Sequence, residues 1–232
     1  MKNIAAVTRV GLATVSVSLL LAGCSSATKT DEKTSTASSS AAATSSAATS
    51  SAAPAAGAAM TINEYITKNN IAETPIKPDE PGTPNFDFPF PPDWRMAGDL
   101  KPDWAYGAII YDKPVDPNDP PFMYAIASKL TGNVDAAKIL EYAPNQLNAL
   151  PDFKVVKEPE KTSLGGFDAV QSAGTFTKDG KPRIAAQKTV VVPGKDALFV
   201  LQINAEAPDG QQDVVIDAAN LIDEKTKITP PA

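Results

Sequence analysis

From residue 61 onward the apolar positions switch between two periods, and each switch marks an element. Ile62, Tyr65 and Ile66 fall on one face of a short helix. Thr61-Ile62-Asn63-Glu64 opens it as a capping box, with Thr61 as N-cap and Glu64 reaching back. Pro75, Pro78, Pro81, Pro84, Pro89, Pro91 and Pro92 then exclude regular helix over 74–92. Within that stretch Asn85-Phe86-Asp87-Phe88 alternates and suits an edge strand, where proline is tolerated. Two strand-like runs follow, at 104–111 and 122–130. The first is apolar or small on both faces, which predicts a central place in a sheet and a buried Trp104.

Asn133 is a favourable N-cap. Ala136, Ile139, Leu140, Ala143, Leu147 and Leu150 repeat at helical spacing behind it, with Pro144 kinking that helix or starting a second. Period two then returns at 153–156, 167–177, 183–192 and 197–205. Lys178-Asp179-Gly180-Lys181 reads as an Asp-Gly hairpin turn, and Pro193-Gly194-Lys195-Asp196 as another turn. Asp209 and Gln212 repeat the capping-box pattern before a last helix with Val215, Ala218, Ala219 and Ile222 on its apolar face. Short turns between neighbouring strands make an antiparallel sheet. Amphipathic helices must cover it. The expected class is α+β: an antiparallel sheet flanked by helices, an α/β/α sandwich over residues 61–232.

Composition changes this picture by exclusion. The chain has no histidine, which removes the usual general base and the commonest metal ligand. Its formal charge is −6, a balance that repels nucleic acid, so no nucleic-acid partner is expected. Gly165-Gly166 precedes a strand with no helix behind it, so it is a turn and not a phosphate loop. Asp116-Pro117-Asn118-Asp119 resembles the start of a calcium loop, yet the glycine and distal glutamate are missing. No metal and no cofactor are expected.

Upstream of residue 61 the chemistry is of another kind. Lys2 and Arg9 give a positive start to an apolar run over 10–22, too short to span ~30 Å of hydrocarbon as a helix. The run ends in Leu21-Ala22-Gly23-Cys24, a bacterial lipobox holding the only cysteine. Residues 1–23 then read as a lipoprotein signal peptide, and Cys24 as the acylated first residue of the mature chain. Residues 24–60 are lipidated Cys24 and a disordered Ser/Thr/Ala tether, a coil of roughly 35 Å whose Ser, Thr and Pro54 suit O-glycans. The expected place is the outer face of a membrane, in the cell envelope, with release to the exterior as a further possibility.

Several motifs together resemble the mycobacterial LpqN/LpqT lipoproteins: Glu73-Thr74-Pro75, Asp93-Trp94-Arg95, Asp116-Pro117-Asn118-Asp119-Pro120-Pro121, Ser128-Lys129-Leu130-Thr131-Gly132, Leu164-Gly165-Gly166-Phe167, Ala186-Gln187-Lys188-Thr189-Val190 and Asp217-Ala218-Ala219-Asn220-Leu221-Ile222-Asp223-Glu224. The resemblance implies a PsbP-like sandwich and an actinobacterial envelope. It also implies trehalose glycolipids, and the proteins that export or transfer mycolates, as partners. It carries no catalytic motif.

Three functions compete at this level. A tethered, non-catalytic binding module would hold a glycolipid; Trp94, Trp104, Tyr106, Tyr111 and Tyr124 supply aromatic faces for sugar, with Asn118 beside them. A protein-interaction adaptor, host-facing or not, would need only an exposed patch, whereas a carrier needs an apolar cavity. A carboxylate glycan hydrolase would need two facing acids, and Asp99 with Asp103 or Asp112 with Asp116 are the candidates. Without a base that titrates near neutrality, the enzyme reading is the weakest. Anchoring has a direct test. Cys24→Ala removes the acyl attachment point and is expected to move the protein from the detergent phase to the aqueous phase, or to block its processing. Unchanged detergent partition would overturn the lipobox reading.

Overall fold

The computed structural model describes residues 59–231. The signal peptide, Cys24 and the tract up to residue 58 lie outside the described residues. In chain order the elements are α1 (Ile62–Lys68), β1 (Ala72–Pro75), β2 (Asn85–Asp87), β3 (Trp94–Met96), β4 (Gly107–Tyr111) and β5 (Phe122–Thr131). Then come α2 (Ala136–Tyr142), a 3-10 segment (Ala143–Ala149), β6 (Lys154–Leu164), β7 (Phe167–Lys178), β8 (Lys181–Pro193), β9 (Leu198–Pro208), α3 (Gln212–Lys225) and β10 (Lys227–Thr229).

The main sheet is antiparallel in the order β3-β4-β5-β9-β8-β7-β6. The outer edge of β5 is shared: β4 pairs with its first half and β1 with its second. β2 and β10 form a separate ribbon. Because side chains alternate along each strand, the sheet has two apolar faces. On one, Met123, Leu201 and Ile203 meet Val215, Ala218 and Ile222 of α3 and Phe86 of the ribbon. On the other, Leu130, Val191 and Val200 meet Ile62 and Ile66 of α1 and Ile139 of α2. The sandwich expected from the sequence is therefore present.

The capping box at Thr61 forms as read: its backbone N–H donates to Glu64 at 2.7 Å, and the Glu64 N–H donates to Thr61 Oγ1 at 3.3 Å. The Asp179-Gly180 turn has both residues at positive φ, as a type I′ hairpin requires. At Gly165 a Cβ would lie 2.7 Å from Cγ1 of Ile228, so the turn into β7 admits only glycine.

Other expectations need correction. The strand expected at 104–111 starts at Gly107 and lies next to the edge strand β3 instead of at the sheet centre. Trp104 stands before it and is 57% exposed, not buried. The short strand expected at 153–156 runs on to Leu164 through Pro159. It lies at the sheet edge, where a proline and two register irregularities are tolerated. Charges on both of its faces hid it from a period-two reading. The cap of α2 is Asp135, whose Oδ1 accepts from the Ala137 N–H at 2.8 Å, and not Asn133. The second capping box does not form: the cap of α3 is Gln211, with no side-chain cap bond. Its Oε1 instead accepts the Val115 N–H at 2.8 Å, tying the 112–121 loop to the helix.

The domain also reaches one residue further back than read. Met60 packs on the α1–α2 side, and its carbonyl accepts from Asn145 Nδ2 at 2.8 Å. Such a bond contributes about 0.5–1.5 kcal/mol. A chain beginning at Thr61 is therefore expected to melt about 2–4 °C below one beginning at Ala58, on the scale for a domain of this size. Asn145→Ala in the longer chain should give a similar drop. Equal melting points would place the boundary back at residue 61.

Candidate functional site

Strand alternation sorts the aromatic residues singled out in the sequence. Trp94 is 5% exposed and packs against Tyr111 with ring centroids 5.7 Å apart, on the α3 side of the sheet. Tyr106 is buried on the same side, edge-on to Phe86 at 5.5 Å. Tyr124 faces the other way, and Trp104 stands edge-on against it at 5.4 Å. Asn118 lies exposed in the 112–121 loop, where its N–H donates to Asp116 Oδ1 at 2.9 Å. The expected single cluster is thus two groups on opposite faces, with Asn118 in neither. Trp94 is core packing, with little ring surface left for a ligand.

On the α3 side, the proline-rich segment after β1 crosses the sheet and leaves an apolar groove of about 330 Å³ beneath it. Phe86, Phe88 and Phe90 form its outer wall, and Ile109, Met123 and Ile203 its floor. Phe86 and Phe88 stack at 6.3 Å. Phe90 and Met96 are 55% and 59% exposed at its opening, so apolar surface reaches solvent there. Asp79 and Asn85 add polar groups to the lining, beside Tyr106. Burial, then the Asp79 charge, pushes the Tyr106 phenol above its ordinary range, so it stays neutral at physiological pH. The sequence signal for this wall is the alternation of Asn85-Phe86-Asp87-Phe88, which suits an edge strand, continued two residues on by Phe90.

The opposite face is polar at its centre. Register sets Tyr124, Asn204, Gln187 and Ser172 in one row across β5, β9, β8 and β7. Ile126, Gln202, Thr189 and Val170 form the next. Gln187 Nε2 donates to Asn204 Oδ1 at 2.9 Å, Asn204 Nδ2 to Gln202 Oε1 at 3.3 Å, and Gln202 Nε2 to Gln146 Oε1 and to Thr189 Oγ1. Beside this amide chain is a cleft of about 250 Å³, walled across by Leu147, Leu150 and Phe176. Glu206 sits at its border, held by Lys178 at 2.9 Å and Arg183 at 3.6 Å. Burial, then Glu206, raises the Tyr124 phenol, which stays a neutral donor.

Of the four acids proposed for hydrolysis, Asp112 and Asp116 have other partners. Asp112 is paired with Arg95 Nε at 2.6 Å, and Asp116 closes the turn at Asn118. Among the described residues, no three His, Cys, Asp or Glu side chains are grouped to hold a metal ion, and no helix is long and apolar enough to cross a membrane.

The model for the family "Probable lipoprotein LpqN" matches residues 58–229. Lipoprotein LpqN of Mycobacterium tuberculosis is 53% identical over 222 residues, covering 94% of this chain and 97% of its own. A crystal structure of LpqN, described as involved in cell envelope biogenesis of that organism, superposes with a TM-score of 0.70 at 49% identity. It covers 74% of this chain and 98% of the solved one. The family resemblance read from the motifs and the α+β sandwich read from the element order both agree with these relatives. The chain belongs to the LpqN lipoprotein family.

Proposed function

We propose that this lipoprotein is a non-catalytic binding module of the cell envelope that holds the hydrocarbon chain of a trehalose-headed amphiphile. The observation that carries the reading is the apolar groove under the proline-rich segment, of about 330 Å³ and lined by Phe86, Phe88 and Met123. A carrier needs such a space, whereas an adaptor needs only a patch. The groove opens to solvent beside Phe90 and Met96, which suits a chain entering from the side while its sugar stays wet. The envelope role described for the solved LpqN supports the same reading. Attachment through acylated Cys24 would hold the domain on the outer membrane face, within reach of proteins that export or transfer mycolates.

Magnitudes favour the chain over the sugar. Each hydrogen bond to the head contributes about 0.5–1.5 kcal/mol net against water. Each buried CH₂ contributes about 0.8 kcal/mol. Alkyl trehalosides of graded length, titrated below their critical micelle concentrations, should therefore bind about tenfold more weakly for every two carbons removed. Met96→Glu, a change at an exposed position of an edge strand, should weaken the longest member by about tenfold or more, since it places a charge beside the groove. Heats equal to dilution across the series would overturn the carrier reading in favour of a protein adaptor docking on the exposed apolar rim.

A further inference from the structure

The polar cleft on the other face is not needed for that ligand. Ile203, on the groove floor, and its neighbours Gln202 and Asn204, in the amide chain, point to opposite sides of β9. The groove floor and the amide chain therefore lie on opposite faces, with Tyr124 at the border of both cavities.

Three primary amides buried mid-strand ask for an explanation. Gln187, Gln202 and Asn204 are 7%, 9% and 8% exposed. On the same face of the same strands, a few residues away, Val191 and Val200 pack against helices. Buried amides cost stability unless bonded, and an apolar pair of equal shape is as stable or better. These amides bond to one another in one direction, Gln187 to Asn204 to Gln202 to Gln146. Each amide has two donor hydrogens and two acceptor lone pairs, so the chain leaves both kinds of group over. Gln187 Oε1 is left at one end and Gln146 Nε2 at the other.

We propose that this cleft is a second binding site, for an uncharged, hydroxyl-rich oligosaccharide. Sugar hydroxyls donate and accept at once, as the leftover amide groups do. Trp104, more than half exposed and braced edge-on against Tyr124, offers a flat apolar face of the kind that stacks on a sugar ring. Tyr124 OH adds a neutral donor. The charges at the border are already engaged, Glu206 by Lys178 and Arg183, and Arg183 in turn by Asp119. Arg183 Nε keeps no hydrogen-bond partner but is buried, and the Glu206 carboxylate at the border repels an anion, so a neutral ligand suits the cleft better. At about 250 Å³ the cleft lies below the ~300–1,000 Å³ of drug-sized pockets, with room for roughly one or two sugar rings and the rest of a chain running past Trp104. The module would then hold a glycan on one face and a hydrocarbon chain on the other.

The test is a nitrogen-15 titration of the mature chain without its acyl groups, using maltohexaose, cellohexaose and mannohexaose, with oligogalacturonate as the charged control. At least one neutral hexaose should shift the side-chain amide signals of Gln187, Gln202 and Asn204 and the Trp104 indole signal, with saturation at millimolar sugar. Trp104→Ala, at a position more than half exposed, should weaken this binding at least tenfold, as should Gln187→Leu. The heat of alkyl trehaloside binding, read on the same variants, should stay unchanged, so loss of the cleft and loss of the groove are seen separately. No saturable shift with any neutral hexaose would overturn the proposal. So would equal shifts from oligogalacturonate, or shifts that survive Trp104→Ala.

Discussion

β9 is covered on both faces, with its first eight residues buried without a break. A strand in that position must satisfy two different environments with alternating side chains. Phe199, Leu201, Ile203, Ala205 and Ala207 supply the α3 side. Leu198 and Val200 begin the other side as apolar residues, and Gln202, Asn204 and Glu206 continue it as polar ones. β9 is therefore uniformly apolar on one face and divided on the other, and each cleft inherits its character from that division.

The division also says how the helices are used. α1 and α2 close the apolar half of their face, where Leu130 and Ile139 are almost wholly buried. Only the 3-10 segment after α2, through Leu147, reaches the polar half, and Gln146 of that segment bonds Gln202. On the other face α3 covers the centre, while the ribbon of β2 and β10 holds the start of the proline-rich wall. Proline suits that wall because such a segment needs few backbone donors while running across a sheet. Apolar surface is left open beside it, at Phe90 and Met96.

Much of this was legible in the chain, and the failures have physical reasons. The hairpin turn at 193–196 fixes the register of β8 on β9, so Gln187 opposite Asn204 and Thr189 opposite Gln202 followed from spacing that was already visible. The polar row carries no signal of its own in the sequence, because isolated amides in strands look like surface positions, whereas aromatic rings stand out although they are common in cores and binding sites alike. Nearness in sequence does not group the aromatics in space, since Tyr106 and Tyr124 take opposite faces. β6 is longer than its sequence pattern because an edge strand with bulges and charges carries no clean period. β1, β3 and β10 are too short to show one at all, and they exist because longer neighbours offer them an edge. Trp104 lies outside the sheet because the strand-like run begins before the point where pairing starts, at Gly107.

The central claim is that the hydrocarbon chain of the ligand lies in the groove on the α3 side. Intermolecular nuclear Overhauser contacts between the methylenes of an alkyl trehaloside and the protein's methyl groups measure this most directly. The account expects contacts to the methyls of Met96, Met123 and Ile109, with none to Leu147 or Leu150. Contacts to Leu147 and Leu150 instead would place the chain in the polar cleft and contradict the assignment of the two faces.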